Sequence, residues 1–450
     1  MKVFFKNHII IIKAAAVFAV TVLVLTTLLI LTAFIPKDSI RKNMLSSAEY
    51  LCEDEPFVYL DDKLYASKID RYADAILLGI AWQYDSKEPA RSVMMSAFHH
   101  DEHGAENKAL REAVLDGTEA DMQYLRYWHG SIAVIRPLLT FLDLKQIYIL
   151  NAVLLSLLLI LLLFLLFRYK AYAPAIGLIA GLGMTVSWYV PCSLEYTWTF
   201  YIMLIMSIFC TLKMVKGKCA GGMVTEEKST GRMVISFMIC GMVTSFMDFL
   251  TTELLTLFVP LLIVLWFTLN RSDEYLRAEK PDKKLFKRMI SLMTGWGIGY
   301  AGMWVMKWIV ASLILHENAF AYVKGHISER MGGDLNLGLW DYLTGAVSRN
   351  LRSLLPYNAG GLGMAAGIML VMVFLYFCII YRKEKPRWKI ILIYLLTGMV
   401  PVLRFLVMHN HSYLHAFFTF RVLIVSVLSA ALAAGEIIDR GLFVHEKKRR

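Results

Sequence analysis

Apolar residues along this chain come in runs rather than in stripes. Ten stretches are long and apolar enough to read as helices crossing a bilayer: 9–35, 147–167, 172–191, 194–212, 233–249, 254–269, 289–315, 359–381, 390–408 and 416–436. Between them lie two long polar segments, 36–146 and 316–358. The first contains a different pattern. Ile69, Ala73, Ile76, Leu77 and Ile80 recur at spacings of three and four, which predicts an amphipathic helix over 69–82. The expected fold class is an all-α polytopic membrane protein. It divides into a first transmembrane helix (1–35), a loop with juxtamembrane helices (36–146), transmembrane helices 2–7 (147–315), a second loop (316–358), transmembrane helices 8–10 (359–436) and a basic tail (437–450).

Composition agrees with this pattern. Of 450 residues, 58% are hydrophobic and only 18% are charged, which excludes disorder and a small disulfide scaffold. The net charge of +11 would suggest nucleic acid on a soluble protein, but its distribution gives another reason. Lys2 and Lys6, Arg168 and Lys170, Lys213 to Arg232, Arg271 to Arg288, Arg382 to Lys389 and the tail from Lys447 occupy alternate loops, whereas acids exceed bases in 36–145. Basic loops stay cytoplasmic. The expected topology therefore has both termini inside and both long loops outside, in a multi-pass cell-membrane protein without a nucleic-acid partner. The first run exceeds an ordinary signal-peptide core and lacks a small-residue cleavage site, so it reads as a retained helix. Six cysteines show no zinc spacing; a bridge between Cys52 and Cys192 is compatible with the topology and required by nothing. No P-loop, dinucleotide fingerprint or internal repeat is present.

Residues with chemistry gather on the predicted outer side. Asp70 and Asp74 are one helical turn apart and share a face, where each raises the other's pKa; that suits a general base or a cation site. Arg126, Tyr127, Trp128 and His129 precede the second span. Arg126 and His129 are three apart, with a guanidinium fork and an imidazole for phosphate oxygens. Asp248 and Glu253 flank a tight hairpin, and Lys307, Arg404 and Arg421 lie inside spans near their outer ends. His409, Asn410, His411 and His415 crowd one short segment. His411 and His415 have helical i, i+4 spacing, which allows a divalent metal or hydrogen bonds to a sugar or phosphate. Arg349 and Arg352 form a candidate phosphate clamp in the second loop, which also carries Lys324, His326 and Arg330.

An outer acidic base with surrounding cations, and no nucleotide motif, fits glycosyl transfer from a polyprenyl-phosphate-linked sugar. A carboxylate would deprotonate the acceptor hydroxyl, and cations would meet the departing phosphate. The whole-chain layout of a first span, a long acidic outer loop and many spans with short inner loops resembles the GT-C superfamily of integral-membrane glycosyltransferases. It is closest in layout to the bacterial protein-mannosyltransferase-like and lipopolysaccharide-modifying branch. The resemblance implies a catalytic acid in the first outer loop, lipid-phosphate sugar donors, and a glycan, lipid or protein acceptor, with no obligatory cofactor but in some members a divalent metal. Family acids are often adjacent, which Asp61 and Asp62 match; Asp70 and Asp74 match a helical face instead. Asp70 is the first candidate for the base. The alternatives are a transporter or flippase for a polar or anionic solute, and a non-catalytic subunit of envelope assembly.

Overall fold

Runs of Leu, Ile, Val and Phe without polar interruption satisfy their backbone only as helices when water is absent, and the computed structural model of the chain builds them so. It describes residues 2–219, 226–271, 281–332 and 337–439. The basic tail from 440, parts of two basic loops and the side chains of His326 and Arg330 lie outside the described residues.

Among the described residues eight helices are long and apolar enough to cross a membrane: Ile11–Thr32, Leu144–Arg168, Thr197–Val215, Thr230–Met247, Asp282–Leu315, Gly361–Ile380, Trp388–Val407 and Ala416–Ile437. Leu144–Arg168 shows how the sequence sets its ends. Asp143 accepts from Gln146 N–H at 3.0 Å and Gln146 returns a bond to Asp143 N–H, a capping box. Many large apolar side chains on these helices, such as Leu157 and Phe164, stay exposed. That is the expected surface of a protein whose solvent there is lipid.

Two of the ten expected spans are short apolar helices, one of them ending well before its expected limit. The segment 172–191 is helical only over Tyr172–Met184. Val186 then takes a left-handed backbone and the chain tightens into a 3-10 turn, Ser187–Cys192, containing Pro191. Thirteen residues rise about 20 Å, short of a hydrocarbon core of about 30 Å. The other, Leu254–Asn270, is also short and is buried on nearly every side, forming the centre of the main apolar core. Such a helix needs no amphipathic stripe because every face meets protein. Helix crossings in the bundle are close. A Cβ on Gly241 would lie 2.1 Å from the Trp296 carbonyl oxygen, and one on Gly299 2.0 Å from that of Met238, so only glycine permits the approach.

The segment 36–146 is an ordered cap. Its helices Lys37–Cys52, Arg71–Gln83, Pro89–Met95, Glu106–Leu115 and Ile132–Leu138 share a second core with Leu29, Ile147, Met303 and Leu315 at the ends of the spans. It also holds a two-stranded antiparallel hairpin, β1 (Phe57–Tyr59) and β2 (Lys68–Asp70), which periodicity did not predict. Buried donors fasten the cap to the bundle. Trp128 Nε1 donates to Met303 O at 2.8 Å, Lys307 Nζ to Met94 O at 3.0 Å, and Arg136 to Ile35 O at 2.7 Å and to Ala81 O. Cys52, Cys192, Cys210, Cys240 and Cys378 are free, and Cys52 donates to Asn107 O at 3.3 Å.

Candidate functional site

The end of β2 and the start of the next helix set the position of Asp70. The helix begins at Arg71, and Asp70 is its N-cap: Oδ1 accepts from Ala73 N–H at 2.8 Å. The predicted helix over 69–82 is thus found at Arg71–Gln83, with Asp70 just before it. Asp70 is 4% exposed. Burial pushes its carboxyl up to about 6, against the opposing pull of the Ala73 N–H and of Lys68.

Asp74 has a different environment. It is fully buried and accepts from Tyr148 Oη, from Leu194 N–H at 2.9 Å and from Ser193 Oγ at 3.3 Å. Burial pushes it up to about 7, opposed by these bonds. Its oxygens are used in joining the cap to two parts of the bundle, and it does not line the cavity that Asp70 lines. The expected two-carboxylate site at Asp70 and Asp74 is corrected accordingly. The two acids share a helix side, but only one reaches open space.

That space is a cavity of about 100 Å³ at the cap end of the bundle. Its polar wall is Asp70, Glu195, His129, His411 and His415. Four rings, Tyr72, Tyr124, Phe249 and Phe418, close its sides, over a floor of Ala73, Ile76 and Leu77. Tyr72 is tied to the Glu106 carboxylate, and Glu106 accepts in turn from His100 at 2.5 Å.

His129 sits in the left-handed region, with φ 53°, and Gly130 follows it. A Cβ on Gly130 would meet the Phe246 ring at 2.2 Å, so the turn requires glycine. His129 Nε2 lies 2.9 Å from Tyr124 O. A carbonyl only accepts, so Nε2 carries the proton and Nδ1 presents a lone pair. Nδ1 is buried and meets no partner among the described residues. Burial pushes the ring's pKa down to about 3, so it is neutral. The expectation of a charged His129 donating to phosphate is corrected: this imidazole accepts.

The turn between Met247 and Leu254 forms the next part of the wall. Asp248 accepts from Leu250 N–H at 3.0 Å, from Thr251 N–H at 3.2 Å and from the Thr251 hydroxyl, which holds Leu250 at φ 69°. Glu253 and Arg404 form a buried two-bond pair, Nε to Oε1 at 2.6 Å and Nη2 to Oε2 at 3.0 Å. Arg404 Nη2 also donates to Leu250 O at 2.6 Å, and His411 Nε2 donates to the same oxygen at 3.0 Å. Asp248, Glu253 and Arg404 therefore build the turn that presents Phe249; Arg404 Nη1 is buried and meets no partner among the described residues.

In the histidine segment, His411 and His415 line the cavity with ring centroids 4.8 Å apart. His409 packs edge-on to Tyr342 and Asn410 is buried, both outside the lining. The remaining expected contacts lie elsewhere. Arg126 lies over Tyr124 and Tyr127 and donates to Tyr124 Oη at 3.1 Å; Tyr127 and Trp128 are buried. Lys307 holds Met94 O behind the wall. Arg349 stacks on Tyr413 with 3.8 Å between guanidinium and ring centroid, and Arg352 is exposed. No Arg or Lys lines the cavity: the candidate clamp Arg349 and Arg352 and the candidate contacts Arg126, Lys307 and Arg404 all lie outside its lining. Asp61, the alternative acid, bonds Lys63 N–H at 3.0 Å, and neither Asp61 nor Asp62 lines the cavity.

Glu195, Tyr72, Tyr124, Phe249 and Phe418 were not singled out as site residues from the sequence. Glu195 had a signal, being a carboxylate at the start of an apolar span, as Asp248 is at the end of one. Among the described residues no three His, Cys, Asp or Glu side chains are grouped to hold a metal. No family model, curated protein or solved structure matches the chain.

Proposed function

We propose that this protein is a membrane glycosyltransferase. It moves a sugar from a polyprenyl-phosphate donor to an acceptor hydroxyl at the extracytoplasmic face, where the cap domain lies. The observation that carries this reading is the acid- and histidine-lined cavity: Asp70, Glu195, His129, His411 and His415 line one small space walled by aromatic rings. Such a wall accepts hydrogen bonds, and a sugar supplies many hydroxyl donors together with apolar ring faces.

Asp70 takes the proton of the acceptor hydroxyl as that oxygen bonds to the anomeric carbon. The bond from that carbon to the phosphate oxygen breaks, and its electron pair leaves with the lipid phosphate. With a carboxyl near 6, Asp70 is mostly ionised at neutral pH yet basic enough to act. Attack by one base on one face inverts the anomeric centre. Glu195 and His129 hold sugar hydroxyls in this scheme.

Purified protein is incubated with polyprenyl-phosphate sugars and an acceptor extract. Asp70→Asn retains the capping bond, since Asn caps as Asp does, and is expected to lower transfer by about 10²- to 10⁴-fold. Transfer that survives Asp70→Asn unchanged removes Asp70 as base. Uptake of a labelled solute by proteoliposomes without any sugar transfer overturns the enzyme reading.

A further inference from the structure

The hairpin that delivers Asp70 has an open face. In an antiparallel pair, directly opposed residues project to the same side. The register pairs Phe57 with Asp70 and Tyr59 with Lys68, so these four share one face, with Val58 and Ile69 on the other. Phe57 and Tyr59 are each 40% exposed, and Tyr65, in the connecting turn, is 37% exposed. They surround a cation: Lys68 Nζ is 4.7 Å from the Phe57 ring centroid, 6.0 Å from that of Tyr59 and 4.9 Å from that of Phe417. The charge of Arg349 also reaches Tyr65. Among the described residues neither Lys68 nor Arg349 forms an ion pair with a carboxylate.

This face is continuous with the cavity and held firmly. Phe57 stacks on Tyr72 of the cavity wall at 5.9 Å and 15°. Phe417 lies 5.1 Å from Phe418, another wall ring. Arg421, buried at the end of a span, donates to Ala66 O at 3.1 Å, and Ser67 Oγ donates to Asp61 O at 2.8 Å. The rings are therefore presented on a fixed hairpin rather than on a loose loop.

The exposed rings of Tyr59 and Tyr65, beside cations that form no ion pair among the described residues, match one ligand chemistry, a pyranose with apolar C–H faces that also bears a negative group. We propose that this face is a subsite for an anionic glycan acceptor. Its sugar rings stack on Tyr59 and Tyr65, its carboxylate or phosphate meets Lys68 and Arg349, and its terminal hydroxyl is delivered to Asp70. The inference rests on the transferase reading and names its acceptor class.

The test uses the full chain in nanodiscs of neutral lipid, titrated with hexagalacturonate and with neutral maltohexaose. Hexagalacturonate is expected to bind roughly tenfold more tightly than maltohexaose, with an advantage that shrinks as salt is raised. Tyr59→Ala and Lys68→Met are each expected to weaken hexagalacturonate binding roughly five- to tenfold, with unfolding temperatures unchanged. Equal binding of the two oligosaccharides, or binding indifferent to both substitutions, overturns the proposal. So does a result in which the substitutions alter only retention on anionic-lipid vesicles, because the rings then serve as a bilayer anchor. Sugar transfer without hexagalacturonate binding overturns the subsite and leaves the transferase. Hexagalacturonate binding without any sugar transfer overturns the transferase and leaves the subsite.

Discussion

Arg404 gives a sharp test of how the cavity wall is built. Its guanidinium makes two bonds to Glu253 and donates to the carbonyls of Leu250 and Thr251, with side-chain exposures of 5% for Arg404 and 7% for Glu253. Arg404→Met strips the counter-charge from a buried carboxylate and should cost about 3–5 kcal/mol. Glu253→Gln keeps an acceptor beside the guanidinium and should cost about 1.5–3 kcal/mol. The double variant loses the pair but leaves no lone carboxylate, so its cost should fall below the sum by at least about 2 kcal/mol. Equilibrium unfolding of all four proteins in mixed detergent, followed by tryptophan fluorescence, measures the cycle. Because Leu250 O also receives His411, Arg404→Met should impair sugar transfer beyond its effect on folded fraction. Costs that add within about 0.5 kcal/mol refute the scaffold role. A raised KM for the lipid-linked donor at unchanged stability would return Arg404 to the ligand.

Further expectations follow from the same side chains. Transfer should rise with pH along a limb near 6, since Asp70, pushed up to about 6, acts only when ionised; a limb near 4 contradicts the assignment. Asp74 is held at about 7, so the folded state binds its proton more tightly than the unfolded chain does. Its contribution to stability is full below pH 4 and falls as pH rises through 7. The difference between wild type and Asp74→Asn in unfolding midpoint, measured from pH 4 to 8, should show that decline, and a rise refutes it. Lys307→Met should leave stability within about 1 kcal/mol, because a buried ammonium held mainly by a carbonyl is replaced by an apolar chain of similar length; a loss of 3 kcal/mol or more, read by detergent unfolding, contradicts this. A cysteine placed at Gly104 should react with an impermeant thiol reagent from outside the cell, and one at Gly222 should not.

The helical membrane fold was legible because hydropathy acts over whole segments. Leu144–Arg168 is 25 residues of nearly unbroken apolar chain with a capping box written in Asp143 and Gln146. The short Tyr172–Met184 helix was misjudged because its stop is a backbone event, a left-handed Val186 before Pro191, inside sequence that remains apolar. Residue type and spacing point to Asp70, His129, His411 and His415, and these four line one cavity. The cations misled because spacing along one helix says nothing of what another helix offers. Arg404 meets Glu253 and Arg126 meets Tyr124, and both partners are fixed only by packing. Glu195 and the four wall rings converge from segments far apart in the chain, a relation no local pattern contains.

The oxygen of Leu250, which receives both Arg404 and His411, has a mechanical consequence. One carbonyl ties two elements to the turn bearing Phe249, the histidine segment through His411 and the helix Trp388–Val407 through Arg404, so all three shift together or not at all. If the proposed acceptor subsite holds, exchanging the few residues of the neighbouring hairpin retunes which glycans it takes while that tie stays in place.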